Sequence, residues 1–276
     1  MLLSLFALSL ACGSKNMPAE AAKSIEPPTE KPAVSPEIDP TKASGILTPH
    51  ILHTNLTHDY ASVEAPLTLR ARKLIIDDSG VVPKHTHDSR LGYAYIISGE
   101  ITEYREGTEP LTRKTGDFIT EEIGITHYWH NRSGSPVRAI VFDILPPEID
   151  LEATPSREPI LDGLKENSGI REVTILNTLS LDATYPELKG RVLRARMFTL
   201  DPDAVIGQHR HQERSGYVYV VSGEIVEIRN DIDKALTRRA GDVILEENGV
   251  QHYWENKSGA EVQLLSVDIF APPAAE

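Results

Sequence analysis

The stretch HRHQERSGYVYVVSGE, residues 209–224, opens on two histidines one residue apart and runs into a segment rich in β-branched and aromatic residues. YVYVVS has the composition of a strand, and Gly223-Glu224 after it marks a turn. His209 and His211 also read as strand residues. Residues i and i+2 of a strand share a side, so the two imidazoles face the same way. Imidazoles gathered on one face are the donors that zinc, iron, copper and nickel take.

The stretch occurs twice. HTHDSRLGYAYIISGEITE (85–103) returns as HRHQERSGYVYVVSGEIVE (209–227), identical at 11 of 19 positions. GDFITEEIGITHYWHN (116–131) returns as GDVILEENGVQHYWEN (241–256), identical at 10 of 16. Upstream, ILHT at 51–54 and LRAR at 69–72 return as ILNT at 175–178 and LRAR at 193–196. The offset grows from 124 to 125 residues between the two long blocks, so one residue is inserted in the hairpin between them. The pattern is a tandem duplication, with one domain over 46–148, a connector over 149–169 and a second domain over 170–272. Turn signals every 8–12 residues or so predict an all-β fold, an antiparallel sandwich or barrel in each copy. The one helix expected lies in the connector, around Ile160–Lys165.

Of ten histidines, six fall at matched positions: His85, His87 and His127, then His209, His211 and His252. A third histidine on another strand of the same barrel closes a face of three imidazoles. His50, His53, His58 and His130 have no histidine counterpart. A lone pair of histidines is weak evidence for a metal. Pair, third histidine and surrounding glycines all repeated in one chain are much stronger, and the expectation is a divalent transition metal in each copy.

These blocks resemble the two motifs of the cupins, and the chain as a whole resembles a bicupin. The first motif is His-x-His, three or four residues, Glu, six residues, Gly. The second is Gly, five residues, Pro-x-Gly, two residues, His, three residues, Asn. Here the second motif reads Gly116, Glu122-Ile-Gly124, His127, Asn131, and again Gly241, Glu247-Asn-Gly249, His252, Asn256. The resemblance implies two jelly-roll barrels with a metal inside each. Glutamate replaces the motif's proline in both copies. The carboxylate of the first motif is also missing, with Gly92 and Gly216 in its place.

Three neutral imidazoles would leave the metal its full charge, and three protein ligands with open positions is the catalytic pattern. The glycine reads as room for an anionic ligand. The arrangement is similar to cupin dioxygenases that hold iron by three histidines. It implies dioxygenase-type chemistry on a small anionic molecule, with iron first among Fe, Zn, Mn, Ni and Cu. A cupin that captures a small ligand without turnover is the alternative, and a metal-dependent sugar-acid isomerase a weaker one.

Other matched residues are candidates for reading a substrate. Arg90 and Arg214 follow the histidine pairs, where a guanidinium fork can clamp a carboxylate. Tyr95 and Tyr219 are candidate acid–base groups, although the alternation Tyr93/Tyr95 and Tyr217/Tyr219 reads first as packing. Trp129 and Trp254 read first as packing beside the third histidine. Arg70, Arg72, Arg194 and Arg196 alternate with apolar residues and are expected on the outer face, paired with Glu103 and Glu227. Asp143 and Asp268 are expected as buried residues held by backbone donors. Glu213 is near enough in sequence to replace the missing carboxylate, but its counterpart is Ser89.

The formal net charge of −13 makes nucleic acid an unfavoured partner. Residues 1–11 contain an apolar run, Leu2 to Ala11, of signal-peptide length, followed by Cys12, the one cysteine in the chain. The pattern resembles a lipoprotein signal, with Cys12 as the lipidated residue and residues 12–45, rich in Pro, Ala, Glu and Lys, as a disordered tether. It implies a cell-envelope, periplasm-facing protein held to the membrane by its lipid, a monomer or homodimer.

Overall fold

The computed structural model describes residues 38–60, 62–63, 66–146 and 165–272. Residues 1–11, Cys12 and the connector segment 160–164 therefore lie outside the described residues. The first copy contains β1 (Ser44–Asn55), β2 (Thr68–Thr86), β3 (Gly92–Ser98), β4 (Glu100–Arg105), β5 (Leu111–Lys114), β6 (Phe118–Glu121), β7 (Thr126–His130) and β8 (Val137–Leu145). The second contains β9 (Ser168–Ser180), β10 (Val192–Arg210), β11 (Gly216–Ser222), β12 (Glu224–Arg229), β13 (Leu236–Arg239), β14 (Val243–Glu246), β15 (Gln251–Glu255) and β16 (Val262–Phe270). The strand orders are β5-β4-β7-β2-β8-β3-β6, with β1 on β2, and β13-β12-β15-β10-β16-β11-β14, with β9 on β10. All pairings are antiparallel and the orders are the same, so the copies are tandem jelly rolls.

The long strand β2 spans each part of the barrel that matters. Its first half, Thr68–Ile76, pairs with β8, and its end, Val81–Thr86, pairs with β7 across a bulge between Val82 and His85. Strand β10 does the same between β16 and β15, with its bulge between Ile206 and His209. One strand therefore carries arginines at its start and the histidine pair at its end.

The alternation along β3 and β11 divides two cores. Ala94 and Ile96 pack inside the first barrel with Leu74, Ile76, Ile119 and Trp129. Val218 and Val220 pack inside the second with Leu200, Ile244 and Trp254. Tyr93, Tyr95, Tyr217 and Tyr219 face the other way, into a third cluster built from both copies with Phe142 and Val267. These strands are buried on both faces, which is why they read as nearly continuous apolar runs.

Contacts across the interface are reciprocal, as in a two-fold dimer. The Tyr93 hydroxyl donates to Leu193 O (2.8 Å) and the Tyr217 hydroxyl to Leu69 O (3.1 Å). The Tyr60 hydroxyl accepts from Ser215 N–H (2.8 Å), and the Tyr185 hydroxyl accepts from Leu91 N–H (3.2 Å) while donating to Ile144 O (2.7 Å). Each barrel thus braces the loop that follows the other barrel's histidine pair. Tyr185→Phe leaves the Leu91 N–H without its acceptor and should destabilise the protein by about 1–3 kcal/mol, read as a lower melting temperature.

Three details differ from the sequence reading. The expected tether is ordered from its last residues: Thr41 N–H is 3.0 Å from an Asp39 carboxylate oxygen, and Pro40 O accepts Lys84 N–H at 2.6 Å. β1 begins at Ser44. An unexpected helical turn, α1 (Leu56–Asp59), is capped by Asn55, whose side chain accepts from Thr57 N–H at 3.0 Å.

Candidate metal centre

His85 is the direct cross-strand partner of His127, and His209 of His252. Adding the i+2 histidine of each pair brings three rings together. In the first barrel, the Nε2 atoms of His85, His87 and His127 lie 3.1, 3.1 and 3.2 Å apart. In the second, His209 Nε2 is 3.1 Å from the Nε2 of both His211 and His252.

The opposite nitrogens decide the tautomers. His85 Nδ1 faces Pro83 O (2.8 Å), His87 Nδ1 faces Arg90 O (3.0 Å) and His127 Nδ1 faces a Glu103 carboxylate oxygen (2.9 Å). The second barrel repeats this with Gly207 O (2.8 Å), Arg214 O (3.1 Å) and Glu227 (3.0 Å). These partners accept only, so each Nδ1 carries the proton and donates it; the Trp254 indole N–H also lies 3.2 Å from His252 Nδ1, but the Glu227 carboxylate is the nearer partner there and needs the proton. In the first barrel the Nε2 lone pairs then converge, which is repulsive unless a cation lies among them; in the second, the Glu246 carboxylate meets the converging Nε2 atoms, and protons or a metal ion fill the same place. A second ring nitrogen tied to a carbonyl or carboxylate is the usual support of a metal-bound histidine. The spacing also suits nitrogens sharing one ion at bonds of about 2.1 Å. The donor sets fit a divalent transition metal.

Glu103 is also gripped by Arg105 and Arg113, and Glu227 by Arg238. Burial alone would raise the Glu103 pKa, but His127, Arg105 and Arg113 hold it at about 2. It is therefore a fixed anion orienting the third histidine. Arg70, Arg72, Arg194 and Arg196 do not reach these glutamates, contrary to expectation. They share the inward face of β2 and β10 with Leu74, Ile76 and Leu200, and gather on Asp143 and Asp268. Arg70 grips Asp143 through Nε and Nη2 (2.9 and 2.7 Å), and Arg194 grips Asp268 likewise (3.0 and 2.8 Å). The aspartates are held by guanidinium groups, where backbone donors were expected. An Arg-Ala alternation mimics a solvent-facing strand because its inward pairing lies more than 70 residues away.

The glycine slot is the second correction. Gly92 pairs with Glu121 on β6 and Asp143 on β8, and Gly216 pairs with Glu246 on β14 and Asp268 on β16. The slot is closed: a Cβ on Gly92 would lie 2.5 Å from Phe142 O, and one on Gly216 2.8 Å from Val267 O. The neighbouring strand supplies a carboxylate instead. Glu246 Oε2 is 2.6 Å from His211 Nε2 and 3.5 Å from His252 Nε2. His209, His211, Glu246 and His252 form a four-donor group that could hold a metal ion; His85, His87 and His127 form a three-donor group. Glu121 lies farther out, 4.0 Å from His87 and from His127.

The charges follow this difference. Burial pushes the Glu121 pKa up. Burial acts the same way on Glu246, but His211 and His252 outweigh it and hold Glu246 ionised. Burial lowers His252, but Glu246 and Glu227 reverse this and raise it to about 9. Burial lowers His85, His87 and His209 to about 4 from an ordinary 6.5. An unfolded chain takes up these three protons below about pH 6.5 while the native chain refuses them until about pH 4, so acid favours unfolding across that window. Melting temperature of the chelator-treated protein should fall as pH drops from 6.5 to 4. The pair His85→Asn/His209→Asn should flatten that fall.

A cavity of about 590 Å³ reaches the second centre, lined by His209 and Glu246 together with Arg196 and Arg214. A cavity of about 500 Å³ reaches His85 in the first, lined by Arg72 and Arg90. Arg90 and Arg214 thus stand on the cavity walls, also facing Asp143 and Asp268 (3.6 and 2.7 Å). Tyr95 and Tyr219 do not: they lie in the interface between barrels, and burial raises Tyr219 to about 12. Trp129 and Trp254 pack in the barrel cores edge-on to His127 and His252. Glu213 is exposed, with φ 47°, and pairs with Arg191 (2.7 Å).

Two antiparallel β barrels, each bringing imidazoles to one point inside, define a jelly-roll protein with a candidate metal centre in each barrel. A family model for the cupin domain matches residues 74–143 and 196–268, and the chain belongs to the cupin family. It is 31% identical over 118 residues to an oxalate-binding protein of Thermotoga maritima, a match covering 43% of this chain and 88% of that protein. Among solved structures it resembles Ylba from E. coli (TM-score 0.52, 12% identity, 88% of this chain and 90% of that one). It also resembles a salicylate 1,2-dioxygenase from Pseudoaminobacter salicylatoxidans in complex with gentisate (TM-score 0.51, 12% identity, 72% and 68%). At these identities the structural likenesses speak to the fold.

Proposed function

We propose that this bicupin binds a divalent transition metal in each barrel and takes a small anionic molecule at the second, for metal-dependent chemistry of dioxygenase type. The observation that carries the reading is the convergence of three Nε2 atoms in both barrels, each ring fixed through Nδ1 by an acceptor. His209, His211, His252 and Glu246 would hold the metal in the second barrel, and His85, His87 and His127 in the first. When bound, the metal supplies Lewis acidity, and iron in addition supplies one-electron chemistry toward O2. Glu227 and Glu103 orient the third histidines. The cavity beside His209 admits the anion.

The test is oxygen uptake by iron-loaded protein with a panel of thiols, diketones, phenols and small carboxylates. Uptake abolished by His209→Ala supports the dioxygenase reading, and no uptake with any compound refutes it. Capture without turnover is the second reading. It is favoured by Glu246, which occupies a position that a substrate or O2 would use, and by the likeness to an oxalate-binding protein. Ligand-dependent stabilisation with no product by mass spectrometry would support it.

We also propose an envelope location, with lipid attached at Cys12. The apolar run ending at Ala11 and the single cysteine directly after it support this. Cys12→Ser should abolish incorporation of labelled fatty acid. Persistent labelling would contradict the anchor.

A further inference from the structure

Beside each histidine set, the barrel interior holds a second matched group: three arginines on one aspartate. In the second barrel, Asp268 receives the Arg194 fork, Arg196 Nη2 at 3.0 Å and Arg214 Nε at 2.7 Å. In the first, Asp143 receives the Arg70 fork, with Arg72 and Arg90 at 3.7 and 3.6 Å. One carboxylate does not balance three guanidinium groups. With Glu246 counted, this group of three arginines and two carboxylates still keeps one positive charge over, and a divalent metal at the histidines raises the excess to three.

Arg196 is not used up by these contacts. Its Nε is buried without a hydrogen-bond partner, and so is the Nε of Arg72, the same position in the first barrel. Both arginines line the cavity that also touches the first histidine of their set. A buried N–H with no acceptor is costly, and its recurrence at a matched position points to an acceptor brought by a ligand. A guanidinium with a free N–H beside a second guanidinium suits a carboxylate.

The rest of the cavity sets the ligand's other end. In the second barrel Phe198, Ile206, Val218, Trp254 and Leu264 supply apolar wall. Its 590 Å³ is far more than oxalate needs, and apolar wall offers oxalate's remaining oxygens nothing.

We propose that Arg196, seconded by Arg214, forms a carboxylate subsite in the second barrel, and that the ligand it serves is a small organic carboxylate carrying an apolar body. This rests on reading that barrel as a small-anion site, and adds to it the group that is read, the residue that reads it and the character of the remainder. The metal-bearing end of the cavity, at His209 and Glu246, then faces the portion of the ligand next to the carboxylate.

The test uses the full chain loaded with Zn²⁺. Isothermal titration calorimetry is run with benzoate, its neutral isostere benzamide, and oxalate, with zinc content measured on the same samples. Benzoate should bind best. Arg196→Gln should weaken benzoate about tenfold or more with zinc content unchanged. Arg214→Gln, at a more exposed position on the cavity wall, should also weaken it and provides the check if Arg196→Gln does not fold. Benzoate binding untouched by the arginine substitutions, benzamide or oxalate binding as tight as benzoate, or no benzoate binding to the zinc-loaded wild type would each overturn the subsite. Zinc absent from wild type with benzoate still bound through Arg196 would instead count against the metal centre and leave the subsite standing.

Discussion

Replacing His85 and His209 together by alanine should empty both barrels, taking bound metal from about two ions per chain to near zero. Each single substitution should remove only its own barrel's share, because the two donor sets share no residue. The substitution removes one of three nitrogen donors in the first barrel and one of four donors in the second. The remaining rings keep their Nδ1 acceptors, so the fold should persist, and far-ultraviolet circular dichroism should be unchanged. Elemental analysis after gel filtration reads the result. The two barrels should also differ: Glu246→Gln should weaken the second centre, whereas Glu121→Gln, 4.0 Å from its histidines, should have less effect on the first.

Gly216→Ala and Gly92→Ala should each cost about 1–3 kcal/mol, because the added methyl overpacks a strand that cannot yield. The new Cβ at Gly216 meets Val267 O at 2.8 Å and Asp268 Cβ at 2.9 Å; at Gly92 it meets Phe142 O at 2.5 Å. These are atoms of a central strand buried on both faces and paired on both sides. Chemical denaturation midpoints should fall for both variants. Gly216→Glu, which restores the carboxylate of the cupin motif in sequence, should fare worse and should not improve metal retention. Unchanged stability of Gly216→Ala would show that β11 and β16 stand farther apart than described.

The duplication, the all-β class and the grouping of the six histidines were legible because they depend on local signals: identity at a fixed offset, and the two-residue period of a strand. Misreadings arose where a side chain's role depends on its cross-strand neighbour. Gly216 reads as an open position in the sequence, but its partner Glu246 lies 30 residues downstream and brings a carboxylate to the histidines. The arginines of LRAR read as outward-facing, because alternation with apolar residues gives the period of a strand's two faces and not which face is inward. Their partners Asp143 and Asp268 stand within the apolar runs VRAIVFDIL and VQLLSVDIF, a signal that could have been used. Tyr95 and Tyr219 read as candidates for chemistry because a strand buried on both faces offers no polar side to distinguish the barrel interior from the interface. Tyr60 and Tyr185 carried no local signal. Their bracing role exists only once the two barrels meet.

The most direct measurement of the central claim is anomalous diffraction from crystals of protein purified without chelator, at the absorption edge of whichever metal elemental analysis identifies. The account predicts one peak among the Nε2 atoms of His209, His211 and His252, with Glu246 beside it, and one among those of His85, His87 and His127. Peaks elsewhere in a metal-saturated crystal, or metal-free barrels with the histidine rings turned away from one another, would contradict it.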